Sequence, residues 1–292
     1  MPHVLAIDLG GTKTAIGLVD EAGRIVDKRK LPAASNFEAS VEQIVAEAPR
    51  SVSSVGVIVP GIYDPSNGTV WAPNLWGRDF HPLLAALEHR LRVDVAIGSD
   101  RTGSVLAEQW VGAAQGLNHV LFIAIGTGIG VGIVADGRPI EGARGIAGAA
   151  GWMVVGGRWK PEYRERGGWE TEAAGPAVAR RAGMESAEAV VAAAHSGDRK
   201  ALDALRETAD YLALGIAGLI AILDPEMVVL GGGLMQAGDL LLERIRSQAL
   251  CWTQPVTATH TKIELTALGA DAGLLGAARL AWLQAGRSTP GV

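Results

Sequence analysis

The feature that most constrains the fold of this chain is a glycine turn between two apolar runs near its start. The first run ends at Asp8, the turn is Gly10-Gly11-Thr12, and the second run continues from Lys13 to Asp20. β-Prone segments separated by residues that tolerate positive φ predict a β-hairpin. Because glycine has no Cβ, a polyanion can approach the N–H groups of this turn, and the Asp8 carboxylate suits a hydrated metal ion. An ordinary glycine-rich hairpin without any ligand would show the same pattern.

A second copy of the pattern favours a ligand-binding hairpin over an ordinary one. An apolar run from Phe122 leads into Gly126-Thr127-Gly128, and another run continues through Gly130 to Asp136. A repeat of this kind predicts two related halves, each opening with a glycine hairpin. If the two hairpins face each other across a cleft, they can hold a nucleoside triphosphate from both sides.

Composition restricts the class of protein. Of the 292 residues 48% are hydrophobic and 20% charged, which is typical of a globular chain with a sizeable core. The formal net charge of -5 gives no indication of a nucleic-acid partner. Cys251 is the only cysteine, so no intramolecular disulfide is expected and a cytoplasmic location fits. No signal peptide is recognisable, and the apolar run from Leu212 to Leu223 is too short for a membrane span and predicts a buried helix.

The order of the remaining patterns predicts an α/β fold with a mostly parallel sheet. Strands are expected at 55–59 and 93–98, with helices around them. Residues 62–81 are interpreted as a long loop, which is typical of functional or mobile segments. In the second half we expect a strand near 152–155 and another at 227–230. The domain boundary is placed near Gly116.

Three polar residues stand where chemistry is possible. Asp100 follows a strand and begins a helix, where open α/β sheets bind ligands, although such a residue is commonly only a helix cap. A phosphoryl-transfer site needs a carboxylate to accept the proton of the attacking hydroxyl. Asn74 is either a polyol ligand or a turn residue. Glu170 is either a solvated carboxylate at a helix start or a ligand of a sugar hydroxyl.

A third glycine cluster, Gly231-Gly232-Gly233, follows the strand at 227–230. It would let a flat purine lie against the backbone, or it is simply a strand-to-helix turn. The chain contains no G-x-x-x-x-G-K-[ST] sequence, which excludes a P-loop, and its glycine turns lack the dinucleotide-binding fingerprint.

Together these motifs resemble those of the ROK family, which contains repressors, open-reading-frame proteins and sugar kinases. The resemblance is carried by Asp8-Leu9-Gly10-Gly11-Thr12, Pro60-Gly61, Asn74, Ser99-Asp100, Gly126-Thr127-Gly128-Ile129-Gly130 and Gly231-Gly232-Gly233. It implies an α/β, two-domain actin/hexokinase/Hsp70-like ATPase fold made of duplicated ribonuclease-H-like domains. The first domain is expected at 1–116, with a C-terminal helix at 272–292 packing back on it, and the second at 117–271.

The resemblance also implies an activity and a site. The implied activity is glucokinase-like, ATP-dependent phosphorylation of a hexose or modified hexose, with Asp100 as the general base. ATP and its phosphates are expected at Asp8, Gly10, Gly11, Thr12, Lys13, Gly126, Thr127, Gly128, Gly130, Gly231, Gly232 and Gly233. The sugar is expected at Gly61, Asn74, Ser99, Asp100, Trp152 and Glu170. Mg²⁺ is expected at Asp8 through water, and the family's habit implies a homodimer, with no nucleic-acid or membrane partner.

The chain departs from the family's pattern on the sugar side. The usual G-E-x-G-H is Gly148-Ala149-Ala150-Gly151-Trp152, so the glutamate and the histidine are lost. The family's cysteine-rich zinc loop is replaced by 156–168, which holds no cysteine, and no zinc site is expected. The usual asparagine before the catalytic aspartate is Ser99, and the usual D-A-N-A-A is Asp100-Arg101-Thr102-Gly103-Ser104.

These departures point to a changed substrate. Each lost hydrogen-bond partner leaves a sugar hydroxyl unpaired at a cost of ~1–3 kcal/mol. Trp152 can stack on a sugar face instead, and Arg101 or Arg158 can pair with an acidic substituent. A modified or acidic sugar is therefore indicated.

Two further functions are considered. A catalytically degenerate protein that senses a sugar or a nucleotide is motivated by the lost glutamate and histidine, and the retained Asp8, Asp100 and glycine turns argue against it. A DNA-binding repressor is not expected, because the hairpin starts at Val4 and leaves no room for an N-terminal helix-turn-helix.

Overall fold

The structure is a computed structural model, and it describes residues 2–49 and 51–288. The described residues form two compact units. The first contains the chain up to Gly116, residues 139–147 and the chain from Ala270 onward, and the second contains residues 117–138 and 148–269. Residues 289–292 of the expected C-terminal helix lie outside the described residues.

The strands and helices follow the alternating order that the sequence predicts. The strands are β1 (His3–Leu9), β2 (Lys13–Asp20), β3 (Ile25–Pro32), β4 (Ser54–Val59), β5 (Ile62–Asp64), β6 (Thr69–Trp71), β7 (Phe80–His81), β8 (Asp94–Ser99), β9 (Val120–Ile125), β10 (Ile129–Ala135), β11 (Arg138–Pro139), β12 (Met227–Gly231) and β13 (Lys262–Leu265). The α-helices are α1 (Phe37–Glu47), α2 (Pro73–Trp76), α3 (Leu83–Leu91), α4 (Asp100–Val111), α5 (Tyr163–Arg166), α6 (Gly168–Ala173), α7 (Gly175–Ala182), α8 (Ala187–His195), α9 (Arg199–Leu223), α10 (Gly238–Trp252), α11 (Pro255–His260) and α12 (Ala272–Ser288). Short 3₁₀ helices lie at Ala150–Trp152, Gly233–Ala237 and Gly269–Asp271.

The sheet of the first unit has the order β3-β2-β1-β4-β8. The pair β1–β2 is the predicted hairpin, antiparallel from His3 opposite Asp20 to Leu9 opposite Thr14. Strands β4 and β8 continue the sheet in parallel. Parallel strands end at the same edge, so Asp8 near the end of β1 and Asp100 after β8 are brought to one side of this sheet.

Helix α12 packs within the first unit against α4, β1 and β4. The contact is close because glycines lie at its crossing points: a Cβ on Gly56 would collide with the carbonyl group of Ala277, and a Cβ on Gly276 with the backbone of Gly103. The C-terminal segment is thus built into the same unit as the first glycine hairpin.

The second unit repeats the topology of the first. Its sheet runs β10-β9-β12-β13, with β11 beyond β10, and here too an antiparallel hairpin is followed by two parallel strands. The long helix α9 contains the apolar run that predicted a buried helix. Its Gly215 leaves room for the fully buried Trp169 ring, whose Nε1–H donates to the carbonyl group of Tyr211 across 2.9 Å. Of the helices described, none combines the length and the apolar character that a bilayer span requires.

Two expectations about local structure are wrong. Residues 62–81 are not a loop, because β5, β6 and β7 pair into a small antiparallel sheet with α2 between β6 and β7. The segment near 152–155 is not a strand. The N–H group of Met153 closes the 3₁₀ turn onto the carbonyl group of Ala150, and the Met153 carbonyl accepts from the N–H group of Trp169 at 2.9 Å. These bonds direct the segment onto α6 rather than onto a sheet edge.

Candidate active site

The turn of the first hairpin is open to solvent. The N–H group of Gly10 closes it on the carbonyl group of Lys13 at 3.0 Å, and a Cβ on Gly10 would lie 2.7 Å from that oxygen. Gly11, Thr12 and Lys13 are exposed. The turn therefore presents backbone and hydroxyl donors without side-chain cover, as a phosphate-binding turn requires.

Asp8 lies beside this turn and interacts with Asp100. Burial, and after it the negative charge of Asp100, raise the pKa of Asp8 to about 6, although the positive charges of Lys28 and Lys30 act against the shift. The Asp8 carboxylate packs directly on Gly273 near the start of α12, where a Cβ would collide with its Oδ2. A partly enclosed carboxylate next to a second one is a setting in which a divalent cation and phosphates would replace the missing positive charge.

Asp100 is not the cap of its helix. The Ser99 hydroxyl accepts from the N–H group of Thr102 at 3.1 Å and bonds to the Thr102 hydroxyl at 3.0 Å, so Ser99 is the N-cap of α4. The Asp100 carboxylate accepts the adjacent N–H group of Arg101 at 2.8 Å. Desolvation of the carboxyl group by the surrounding protein raises the pKa of Asp100 above its ordinary value, and the positive charge of Arg101 only partly offsets this shift. A carboxylate relieved of capping is available as a base.

Two of the expected sugar ligands of the first unit, Gly61 and Asn74, lie at or next to α2. Asn74 is exposed on this helix, and its carbonyl group lies 4.0 Å from a Cβ position on Gly11. Gly61 packs so closely on the backbone of Trp71 that a Cβ would collide there. The first glycine turn and the segment with Asn74 are therefore neighbours within one unit.

An aromatic cluster that sequence reasoning missed supports α2. The rings of Phe37 and His81 stack at 4.7 Å, Trp76 meets Phe37 edge-on at 5.3 Å, and the Trp76 Nε1–H donates to the Ser40 hydroxyl at 2.9 Å. These residues come from α1, α2 and β7, and no local pattern in the sequence connects them.

The turn of the second hairpin is fixed by α6 and α7. The N–H group of Gly126 donates to Gly128 at 2.9 Å, and the N–H group of Gly175 donates to the Gly126 carbonyl at 2.7 Å. Glu170 Oε2 accepts the N–H group of Ile129 at 2.9 Å and would lie only 2.5 Å from a Cβ on Gly128. Burial raises the pKa of Glu170, while the Ile129 N–H group and the charge of Arg166 lower it. Glu170, expected as a sugar ligand, thus also supports this glycine turn.

A cavity of about 800 Å³ opens beside this turn in the second unit. Its size is within the range of small-molecule sites. It is lined by Gly126, Thr127, Gly175, Pro176, Ala179, Glu185, Ser186, Ala187, Glu188, Val191, Ala192, His195, Gly233, Leu234, Gln236 and Ala237. The glycine turn and Gly233 are expected site residues, whereas the lining from α8 gave no signal in the sequence.

The glycines after β12 differ in their surroundings. Gly231 packs on the Phe122 ring, with a Cβ position 2.5 Å from its Cζ. Gly232 has φ +92°, and a Cβ would collide with the backbone of Ile125. Gly233 has no atom within 4 Å of a Cβ position. Gly231 and Gly232 thus fix the turn, and Gly233 leaves space at the cavity.

The segment that replaces the zinc loop is held by one buried carboxylate. Glu172, whose side chain is 4% exposed, accepts from Lys160 Nζ at 2.5 Å, from the Tyr163 hydroxyl at 2.6 Å and from Arg181 at 3.3 Å. Burial acts to raise the pKa of Glu172, but the hydrogen bonds from Lys160 and Tyr163 outweigh it and the pKa is lowered. This cluster, which we call the Glu172 cluster, was not foreseen. It borders a cavity of about 390 Å³ that also contains Thr127 and Glu170.

Trp152 is 58% exposed at the end of its 3₁₀ turn and therefore offers an open ring face. Ala149 precedes that turn. Over the described residues, no group of three or more His, Cys, Asp or Glu side chains is arranged to hold a metal ion. Mg²⁺ needs fewer protein ligands than that, because it binds through one or two carboxylates plus phosphates and water, and Asp8 fits this requirement.

The fold and these motifs have known counterparts. A protein-family model described as "ROK family" matches residues 4–284. A glucokinase of Thermotoga maritima is 33% identical over 95% of this chain and 96% of its own, and an N-acetyl-D-glucosamine kinase of Pectobacterium atrosepticum is 32% identical over 94% and 97%.

Solved structures agree with the sequence relatives. A ROK family glucokinase from Streptomyces griseus, in complex with glucose and AMPPNP, superposes with a TM-score of 0.78 at 31% identity, covering 96% of this chain and 99% of that one. The expected fold class, the α/β actin/hexokinase-like ATPase fold, is confirmed. On the family model and on relatives of this identity and coverage, the chain belongs to the ROK family.

Proposed function

We propose that this chain is an ATP-dependent carbohydrate kinase that transfers the γ-phosphoryl group of ATP to a hydroxyl group of a hexose or modified hexose. The observation that carries the proposal is Asp100, a carboxylate at the end of a parallel strand, released from helix capping by Ser99 and interacting with Asp8 beside an open glycine turn. Relatives named glucokinase and N-acetyl-D-glucosamine kinase support the same reaction class.

Each part of the site has a role in this reaction. The two glycine turns bind the phosphates through backbone N–H groups, with Thr12, Lys13 and Thr127 beside them. The cavity of about 800 Å³ with Gly233 at its edge receives the adenosine. Asp8 would hold Mg²⁺ through water, and the ion would neutralise charge on the phosphates.

Polar and aromatic side chains bind the sugar. Asn74 donates and accepts hydrogen bonds with the hydroxyl groups, Trp152 offers an aromatic face, and Glu170 presents its second carboxylate oxygen. Asp100 accepts the proton of the attacking hydroxyl as the new O–P bond forms and the bond to ADP breaks. The Ser99 hydroxyl, bonded to Thr102, acts by fixing the start of α4 and with it the position of Asp100.

Substitution of the base tests this assignment. Asp100→Asn keeps the shape of the side chain and removes its basicity, so turnover should fall about 10²–10⁴-fold while ATP binding is retained. Asp94→Asn, at the opposite end of β8, is the matched control and should leave turnover unchanged. Normal turnover by Asp100→Asn would show that the base is wrongly assigned.

A panel of neutral, N-acetylated and acidic sugars tests the function itself. Formation of ADP that depends on one class of sugar is the expected result. If no sugar of the panel leads to ADP formation although ATP binding is measurable, the alternative function is favoured, a catalytically degenerate protein that senses a sugar or a nucleotide. The homodimer, the cytoplasmic location and the lack of a nucleic-acid partner stay predictions.

A further inference from the structure

Two N–H donors of Arg101, the residue after the proposed base, lack a hydrogen-bond acceptor among the described residues. Nε and Nη2 of Arg101 are both buried, and no described residue accepts a hydrogen bond from either of them. Buried polar groups are nearly always paired, and a guanidinium group taken out of water is costly unless it meets an anion. This pair of N–H groups therefore calls for an acceptor that the described chain does not supply.

The unpaired atoms define which ligand fits. Nε and Nη2 form the edge of the guanidinium group that donates two parallel hydrogen bonds to a two-oxygen anion. The same chain shows this edge in use: Nε and Nη2 of Arg244 each donate to one oxygen of the Asp210 carboxylate, both at 2.7 Å. Arg101 presents the same edge with no carboxylate of the described chain on it.

Arg101 is adjacent to the proposed base. Arg101 is the second residue of α4 and follows Asp100 directly, and its positive charge acts on the Asp100 carboxylate although no hydrogen bond joins the two side chains. An anion on Arg101 would therefore be held next to the acceptor hydroxyl that Asp100 activates.

Two departures from the family's pattern change charge in the same direction. Arg101 stands where the pattern has alanine, and Ala149 stands where it has glutamate. One substitution adds a positive charge and the other removes a negative one. Both favour a ligand that carries more negative charge than a plain hexose.

We propose that Arg101 binds a two-oxygen anionic group, a carboxylate or a phosphoryl group, beside Asp100. The inference rests on the proposed kinase function, since it makes this group part of a phosphoryl-transfer site. Two sources share the chemistry: an acidic substituent on the acceptor sugar, or the phosphoryl group that is transferred. The binding experiment below distinguishes them.

The variants are Arg101→Ala, Arg101→Lys and Arg101→Gln in the full chain. Alanine is the family's usual residue at this position, so the Arg101→Ala variant should fold normally. Thermal melting checks that each variant is folded. Lysine keeps the charge but loses the paired donors, and glutamine loses the charge. Arg244→Ala is the control, because it removes an arginine whose same edge is already filled by Asp210.

The probes are glucose, glucuronate, gluconate and AMPPNP with Mg²⁺, each titrated calorimetrically, together with turnover of the sugars that are accepted. If the anion is a substituent of the sugar, Arg101→Ala weakens the binding of glucuronate or gluconate about tenfold to a hundredfold and leaves the affinities for glucose and AMPPNP unchanged. If the anion is the transferred phosphoryl group, Arg101→Ala weakens the binding of AMPPNP, or lowers kcat with every sugar, by a similar factor. In either case Arg101→Lys retains part of the affinity or kcat that Arg101→Ala loses, and Arg101→Gln does not.

Unchanged affinity and kcat for all probes in both Arg101→Ala and Arg101→Gln would overturn the inference. Its failure is distinguishable from failure of the proposed function. A wild-type chain that phosphorylates a sugar, while its affinity for every probe, the acidic sugars included, and its kcat are unaffected by the Arg101 substitutions, refutes only the inference. A wild-type chain that phosphorylates nothing refutes the kinase function, while the titrations still report on Arg101.

Discussion

Glu170 accepts the backbone N–H group of Ile129 across 2.9 Å and thereby ties helix α6 to the glycine turn at 126–128. The carboxylate of an expected sugar ligand is thus part of the support of the turn that we propose to bind phosphate. With the proposed role of Glu170 in sugar binding, this one side chain would couple the shape of the turn to the occupancy of the sugar site.

This relationship predicts an effect of Glu170 on nucleotide binding in the absence of sugar. Glu170→Ala should weaken the binding of AMPPNP about fivefold, because the lost hydrogen bond to Ile129 contributes ~1 kcal/mol. Glu170→Gln keeps an acceptor for the same N–H group and should bind AMPPNP almost as the wild type does. Calorimetric titration measures both. If Glu170 acted on sugar alone, neither variant would change the affinity for AMPPNP.

The glycines after β12 predict a separation of stability from binding. Gly232→Ala should lower the free energy of unfolding by roughly 2 kcal/mol or more, because φ +92° disfavours alanine and a Cβ collides with Ile125. A Cβ on Gly233 would meet no atom within 4 Å, so Gly233→Ala should leave stability unchanged. The added methyl group should narrow the cavity that we propose for adenosine and so weaken the binding of AMPPNP. Chemical denaturation and titration of both variants test this, and equal stability of the two would contradict it.

The Glu172 cluster predicts a stability that depends on acid pH. Glu172→Gln should lower the free energy of unfolding at pH 7 by about 2 kcal/mol, because a buried carboxylate with three donors loses its charge. The pKa of Glu172 is lowered from 4.5 on folding. Its contribution is therefore fully present above pH 4.5 and is lost as the pH falls through the lower folded-state pKa.

Denaturation curves of the wild type and of Glu172→Gln between pH 7 and pH 3 measure this contribution. The difference between the two should shrink as the solution becomes more acid. Glu165→Gln, an exposed change in the same segment, is the control and should follow the wild type at every pH. A constant difference across the whole range would show that the charge of Glu172 is not what stabilises the segment.

The sequence predicts well what is encoded locally. Both hairpins, the position of Asp100 at a strand end and the buried part of α9 follow from glycines, alternation and apolar runs that lie within a few residues of each other. The duplicated topology follows as well, since a repeat in sequence produces a repeat in strand order. The family's motifs carried the same information about the fold.

Contacts between distant segments could not be predicted in this way. Glu172 on α6 meets Arg181 on α7 and Lys160 in the segment before α5, and Phe37 meets His81 across forty-four positions, with no periodicity connecting them. The interpretation of 62–81 as a loop failed for a related reason. Strands of two or three residues are too short to show alternation, and only pairing defines them.

The contact between Gly273 and Asp8 predicts a specific loss of function without loss of stability. A Cβ on Gly273 would collide with Oδ2 of Asp8, so Gly273→Ala must displace the carboxylate that we expect to hold Mg²⁺. Turnover should then need about tenfold more Mg²⁺, equivalent to ~1.4 kcal/mol, while alanine in the helix offsets part of any strain.

Gly286→Ala in the same helix is the matched control, because no atom lies within 4 Å of its Cβ position. It should keep the wild-type Mg²⁺ dependence and raise the free energy of unfolding by about 0.5–1 kcal/mol through helix propensity. Steady-state kinetics over a Mg²⁺ series, with thermal melting of each variant, measure both effects. A Gly273→Ala variant that is folded and has an unchanged Mg²⁺ dependence would remove Asp8 from the proposed metal site and leave the turn glycines as the phosphate ligands of that hairpin.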